Sequence, residues 1–462
     1  MRTGDREVKR VFLIGAGDRG TVYTNWILTH PDQMRLAAVA EPREDRRQTL
    51  GDRHGLATEV RFSHWKELLD SGLSADGVII ATGDRDHLEP ASAFLEKGYH
   101  VLLEKPMALD RRIIEEIVAA AAGAEKKGGS LTVCHVLRYS PFFIKVKEIV
   151  DSGLLGEVKS IFHAENVAWY HYAHSYVRGN WGNSRVSSPF ILAKSSHDLD
   201  IITWLAGSAP VSLFSSAHRS LFTEARAPEG APKRCLDGCP IEETCPYEAL
   251  KTYLHGLPLK TALGRAPGFL GMAGRFMVRH PRLTRLVPGL SRYSVWKEWP
   301  TSAATADLTP EGIRQALETG PYGRCVYRCD NDQMEQQDTL IDYASGVKAS
   351  FRLHGLSHEE GRTLRIDGTE GTLRAKFGSG SKISVTPHGP GRTLNFPVDS
   401  DYLGHGRADE GLMEAWNNVL RGAPPPTGAA ESAASHHMAL AAVESARTGL
   451  PVKLNGKDSK DG

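Results

Sequence analysis

VKRVFLIGAGDRG, residues Val8–Gly20, is the stretch whose reading decides the fold. Val11-Phe12-Leu13-Ile14 is a short apolar run of the kind a buried strand needs. Gly15, Gly17 and Gly20 follow at G-x-G-x-x-G spacing, and a helix-like segment, Thr21–Thr29, comes next. In a strand–loop–helix context these glycines have separate tasks. Gly15 permits the tight turn, Gly17 lets backbone approach a pyrophosphate, and Gly20 lets helix and strand pack closely. The anion would rest on N–H groups at the helix N-terminus. The candidate cradle is therefore Gly15, Ala16, Gly17, Asp18, Arg19 and Gly20. Leu36–Ala40 reads as the next strand and ends in Glu41, about 20 residues past the loop, where a ribose-binding acid belongs. The spacing points to a dinucleotide site.

Outward from this stretch, short apolar runs alternate with helical patterns as far as Cys134. The predicted strands are Val8–Ile14, Arg35–Ala40, Gly77–Ala81, His100–Leu103 and Ser130–Cys134. Helical segments fall at Arg43–His54, Trp65–Asp70, His87–Lys97 and Arg111–Lys127. Such alternation predicts an α/β, Rossmann-type doubly wound parallel sheet, with ligands at the carboxyl ends of its strands. The pattern changes after Arg138. Pro141–Val150 and Leu192–Leu205 read as helices and Gly156–Ala168 as a strand. The stretch from His218 to about Gly323 reads as irregular. Met334–Tyr343, Val347–Leu353, Thr363–Asp367 and Thr372–Ala375 read as strands of a largely antiparallel sheet. Arg407–Leu420 and Ala429–Thr448 read as helices, Pro451–Leu454 as a short strand, and Asn455–Gly462 as a polar, disordered tail. The expected organisation is a dinucleotide domain over 1–137 and an α+β domain over 138–462, with an insertion at about 218–323.

The chain has 462 residues, net charge +1 and six cysteines. Near-neutral charge gives no reason to expect a nucleic-acid or membrane-surface partner. The charged N-terminus carries no signal-like apolar run, and no stretch approaches a membrane span. A cytoplasmic location is the expectation. Six cysteines are too few for a disulfide framework in a chain this long.

Glu104-Lys105-Pro106 follows a predicted strand at the sheet edge where a nicotinamide would lie. Together with Gly15-x-Gly17-x-x-Gly20, Ala81-Thr82, His135–Pro141 (HVLRYSP) and His197-x-x-Asp200, it resembles the glucose–fructose oxidoreductase/inositol dehydrogenase/rhizopine catabolism (Gfo/Idh/MocA) family. The resemblance covers nearly the whole chain. It implies NAD(P)-linked oxidation or reduction of sugars, cyclitols or related polyols, and a homodimer or homotetramer joined through the second-domain sheet. Lys105 resembles the family lysine that contacts both substrate hydroxyl and nicotinamide. Burial beside a cationic ring would bring its pKa towards working pH; the alternative is a lysine that only pairs with Glu104. His197 resembles the family histidine that shares the substrate hydroxyl. The family aspartate four residues before it is Ala193 here. Lys194, His197 and Asp198 share a helix face, so they form a candidate replacement constellation, unless Lys194 and Asp198 are an ordinary ion pair. Asp200 would orient His197 or cap the loop.

Further candidates complete the site. Glu41 favours NAD, and the following Arg43 leaves NADP open. Ala81, Thr82 and His87 lie where the resemblance places the nicotinamide ribose. Arg138 and Tyr139 open the second domain, where an arginine binds either a substrate anion or a neighbouring carboxylate. Tyr170, Arg178 and Trp181 belong to an aromatic, His-rich loop suited to sugar faces. Two readings compete with net oxidoreduction. One is redox-neutral glycoside hydrolysis through transient oxidation, elimination and re-reduction. The other is a non-catalytic sugar- or nucleotide-binding protein.

Cys235-x3-Cys239-x5-Cys245, with Cys325 or Cys329 further on, suggests four thiolates from two segments. A structural zinc is the expectation, with an iron–sulfur cluster, free thiols or a disulfide as alternatives. The spacing does not choose between Cys325 and Cys329. Such a metal would hold the insertion as a lid.

Overall fold

The computed structural model of the protein describes residues 7–266, 268–398 and 407–454. The expected disordered tail from Asn455 onward lies outside the described residues.

The first sheet has six parallel strands: β1 (Lys9–Ile14), β2 (Met34–Ala40), β3 (Arg61–Phe62), β4 (Gly77–Ile80), β5 (His100–Leu103) and β6 (Ser130–Val133). Their spatial order is β3-β2-β1-β4-β5-β6, the doubly wound order that reverses at β1. Val11–Ile14 and Val78–Ile80 are buried because helices cover both faces of the sheet, which is why these strands read as continuous apolar runs. The loops after β1, β2, β4 and β5 therefore meet along one edge.

The second sheet has nine strands. They are β7 (Val158–Ala168), β8 (Pro210–His218), β9 (Gln336–Tyr343), β10 (Lys348–Ser357), β11 (Gly361–Gly368), β12 (Gly371–Gly378), β13 (Lys382–Pro387), β14 (Leu394–Phe396) and β15 (Val452–Lys453). Their order is β14-β13-β12-β11-β7-β10-β9-β8-β15. Only β7 and β10 run parallel; the other pairs are antiparallel. One face packs on the helices Pro141–Asp151, Phe190–Ala206 and Ala429–Thr448 around a shared core that includes Phe143, Ile161, Phe351 and Ala439. On the other face Phe162, Leu340 and Phe214 are exposed and fall in register across β7, β10, β9 and β8.

Three expectations change. Residues 218–323 are not irregular: they contain the helices Leu257–Gly264, Gly268–Arg279 and Pro310–Thr319 and a small core of Ala249, Tyr253, Leu254, Ile313 and Leu317. Pro258 and Pro310 sit in the first turns of their helices, where a missing N–H costs nothing; Thr309 caps the Pro310 helix by accepting from Gly312 N at 3.1 Å. The aromatic segment is also helical, as Trp169–Tyr172 runs into a wider turn over Ala173–Arg178. Finally, the helix Ala408–Val419 buries Leu412, Met413 and Trp416 against Val11, Tyr23 and Val39 of the first unit. The chain thus returns across the expected boundary at 137/138.

Candidate active site

The glycine loop turns as expected and fits a dinucleotide. Gly15 has φ +91°, and a Cβ there would stand 2.4 Å from the Ala81 carbonyl oxygen; a Cβ on Gly20 would stand 2.1 Å from that of Gly15. Only glycine permits that approach of loop, strand and helix. At Gly17 a Cβ would meet only Arg46 Nη1, at 3.6 Å, so its outer side is open. Gly17 also caps the helix Asp18–Thr29 without any side-chain hydrogen bond, the arrangement in which helix N–H groups can receive a phosphate. The loop borders a cavity of about 530 Å3 that continues past Arg43 and Arg46. Glu41 is buried beside the loop, accepting from Ala16 N at 2.7 Å and Arg43 N at 2.9 Å.

Glu104 and Lys105 part company in space. Arg19 Nε donates to Glu104 Oε1 at 2.6 Å, Tyr23 Oη donates to the same carboxylate, and Lys105 N donates to Oε2 at 2.9 Å. Burial alone would raise the Glu104 pKa, but Arg19 and Tyr23 hold it below the usual carboxylate range. The Lys105 side chain crosses instead to the second unit, where Nζ donates to the Ala193 carbonyl oxygen at 2.5 Å. Burial brings its pKa down to about 8 against the opposing pull of Glu104, and Lys194 adds to the fall. Lys105 thus lies beside the helix that carries His197, whose ring centroid is 5.8 Å from that of His135. His87 is buried and bonds the Pro106 carbonyl oxygen through Nδ1 at 2.8 Å, so it props the loop that presents Lys105. Thr82 Oγ1 donates to Asp86 O at 3.2 Å in the loop after β4.

The Lys194/His197/Asp198 face divides. Lys194 Nζ lies 3.4 Å from Glu165 Oε1, not on Asp198. Asp198 is fully buried, with Oδ1 at 2.7 Å from both His163 Nε2 and Arg362 Nε. Burial would raise its pKa, yet Arg362 and His163 hold it down at about 2. Asp198 is therefore an anchor beneath the site, not a group that exchanges protons there. The cause is a match of repeats. Four residues along a helix rise about 6 Å, and two residues along a strand about 6.6 Å. Lys194 and Asp198 consequently meet Glu165 and His163, alternate residues of β7. Arg362 stands directly across from Glu165 on β11, with its Nε 2.9 Å from Glu165 Oε2.

Other expected substrate contacts are structural. Arg138 makes a two-point ion pair with Asp200, at 2.6 and 2.8 Å, and reaches Glu431 at 2.6 Å; Asp200 thereby serves Arg138 rather than His197. Tyr139 Oη bonds Thr427 Oγ1 at 2.8 Å. Arg178 is buried at the root of the insertion, donating to Arg324 O at 2.7 Å, Tyr247 O at 2.8 Å and Cys235 Sγ at 3.3 Å. Two aromatics remain partly exposed. Tyr170 packs beside Trp169 and Trp299, and Trp181 Nε1 donates to Asp84 Oδ2 at 3.2 Å.

The zinc expectation finds no support among the described residues. Cys235, Cys239, Cys245 and Cys325 do line one cavity of about 10 Å3. Among the described residues, however, no group of three or more His, Cys, Asp or Glu is placed to hold a metal ion, and all six cysteines are free. The positive charge at the cluster is the Arg178 guanidinium.

Glu165 and Asp84 were missed as site residues. A signal for Glu165 exists. In β7, Ile161, His163, Glu165 and Val167 share a parity and all are buried; two ionisable side chains on a core-facing parity demand partners. Asp84 carried no such signal, because its partners Trp181 and Ser188 come from the other unit.

The structure thus combines a dinucleotide-type glycine loop on a doubly wound sheet with a lysine that reaches from that sheet to a histidine-bearing helix packed on the second sheet. The family described as "Oxidoreductase family, NAD-binding Rossmann fold" matches residues 9–135. YteT of Bacillus subtilis (strain 168), named only as an oxidoreductase, is 32% identical over 358 residues, covering 73% of this chain and 71% of the relative. Inositol 2-dehydrogenase 2 of Saccharopolyspora erythraea is 28% identical over 212 residues, covering 45% and 56%. An oxidoreductase from Agrobacterium radiobacter, solved with NAD+, L-tartaric acid and magnesium, shares the fold at TM-score 0.63 and 16% identity, over 97% of this chain and 98% of that one. The chain belongs to the Gfo/Idh/MocA family of oxidoreductases.

Proposed function

We propose that the protein transfers a hydride between NAD and a hydroxyl-bearing carbon of a sugar, cyclitol or glycoside. The carrying observation is the position of Lys105, which bridges the cofactor unit to the helix of His197 across the cleft. A bound nicotinamide supplies the hydride acceptor or donor. Gly15–Gly20 would cradle its pyrophosphate and Glu41 its adenosine ribose. Lys105 Nζ takes the hydroxyl proton on oxidation and returns it on reduction, and His197 shares that hydroxyl. Trp181 and Tyr170 offer ring faces to the substrate, and Asp84 holds Trp181 in place. NAD is preferred over NADP because a carboxylate ends β2. The test is a polyol and glycoside screen that follows reduced-nicotinamide absorbance and product mass together. Turnover of no member of these classes overturns the reading.

A second reading, redox-neutral glycoside hydrolysis, is favoured by one feature. Elimination requires a second proton to move, and Glu165 places a further carboxyl under Lys194. Burial, with Asp198 nearby, pushes that carboxyl up despite Arg362. Release of an aglycone without net reduced nicotinamide would select this reading.

We further propose a homodimer or homotetramer through the outer face of the nine-stranded sheet, where Phe162, Leu340 and Phe214 form an exposed apolar row. Light scattering should give a monomer for Leu340→Glu and an oligomer for the unmutated chain. No helix among the described residues is long and apolar enough to cross a membrane; the cytoplasm is the proposed location.

A further inference from the structure

The insertion reaches the cofactor cleft. The 530 Å3 cavity beyond the glycine loop has two walls from different parts of the chain. One is Gly17, Asp18, Arg43 and Arg46 of the first unit; the other is residues 302–306 of the insertion. The first wall lies on the β2 side of Gly17, and that is the adenosine side of a dinucleotide on this fold. Ser302, Ala303 and Ala306 are exposed there, while the residues around them are fixed. Thr301 is buried and donates through Oγ1 to Tyr253 O at 2.6 Å; Trp296 N donates to Leu254 O at 2.9 Å. Ala304 packs on the insertion's own core. Just before this segment, Trp299 packs on His171, with ring centroids 4.9 Å apart.

We propose that residues 302–306 form a strap that closes the adenosine half of the dinucleotide site and slows cofactor exchange. The strap contributes backbone and the short side chains of Ser302 and Thr305 to a pocket that the first unit alone would leave open. Its anchors hold it in place before any nucleotide arrives, so ordering it costs little on binding. A retained cofactor serves either catalytic reading. The inference rests on dinucleotide binding at Gly15–Gly20 but not on the substrate.

The experiment is calorimetric titration of the full chain with NAD+, ADP-ribose and nicotinamide mononucleotide. Ala303→Trp fills the pocket from an exposed position, and Thr305→Glu brings a negative charge to it. Each variant should weaken NAD+ and ADP-ribose together by about tenfold or more, leave nicotinamide mononucleotide unchanged, and speed NAD+ release in stopped flow. The nucleotide-free melting temperature should stay at the unmutated value in at least one of them. Unchanged ADP-ribose affinity in a folded variant overturns the strap and leaves the cofactor reading intact. An unmutated chain that binds no dinucleotide overturns both.

Discussion

Lys194 Nζ lies 3.4 Å from Glu165 Oε1, a carboxylate contributed by β7, although Asp198 stands one turn further along its own helix. The family carboxylate is absent at Ala193, and the carboxylate that pairs with Lys194 comes from the sheet beneath the helix. Lys194→Ala and Glu165→Gln should each lower turnover by about 10²-fold, within the range for a positioned proton-transfer group. The double variant should be little worse than either single one, because the pair acts as a unit. Steady-state kinetics of this cycle decide the matter; a fully active Lys194→Ala enzyme removes both residues from the mechanism.

On the proposed reading Lys105 sets the pH dependence. With its pKa lowered to about 8 by burial, the neutral amine that accepts a hydroxyl proton accumulates as pH rises. In the oxidation direction kcat should therefore climb through about pH 8 and level off above it. Lys105→Ala should cost about 10²–10⁴-fold in kcat while NAD affinity, read by calorimetry, hardly moves. A flat profile from pH 6 to 10, or weakened NAD binding as the main defect, would sink the assignment.

On the proposed reading Glu41 governs cofactor choice. Its oxygens are held by Ala16 N and Arg43 N just after β2, where a 2′-phosphate would meet a negative charge. NAD should bind more tightly than NADP, and Glu41→Ala should narrow the gap. Clear preference for NADP by the unmutated protein contradicts this.

Asp198 is a stability residue. Asp198→Asn leaves Arg362 without its main buried counter-charge and should cost about 3–5 kcal/mol in urea unfolding. The pH signature has a definite sign. Held down at about 2 from the ordinary 3.8, Asp198 contributes stability above the higher value that is lost as pH falls through the lower one. A loss under about 1 kcal/mol would place Asp198 among ordinary surface pairs.

Much was legible in the chain because it depends on local pattern. Continuous apolar runs marked β1, β4 and β5, since strands covered on both faces need no alternation. The glycine loop was legible because Gly15 and Gly20 meet backbone a few residues or one strand away. The strands β8, β13 and β14 were not marked, because they are short or rich in Ser and Thr and gain their pairing from neighbours distant in sequence. Two helices of the insertion, Leu257–Gly264 and Pro310–Thr319, carry prolines in their first turns and so gave no clear helical pattern.

The sequence by itself determined the doubly wound sheet and the cradle at Gly15–Gly20, because strand period, turn chemistry and motif spacing are properties of contiguous residues; the candidacy of Lys105 and His197 came from the family resemblance of Glu104-Lys105-Pro106 and His197-x-x-Asp200. Only the tertiary structure decided that Lys105 turns from Glu104 to Ala193, that Asp198 is buried against His163 and Arg362, and that Arg138 belongs to Asp200. Each of those outcomes depends on which charge or carbonyl from another segment lies within a few ångströms, and at that range hydrogen bonding, Coulomb attraction and desolvation outweigh any preference written along one helix.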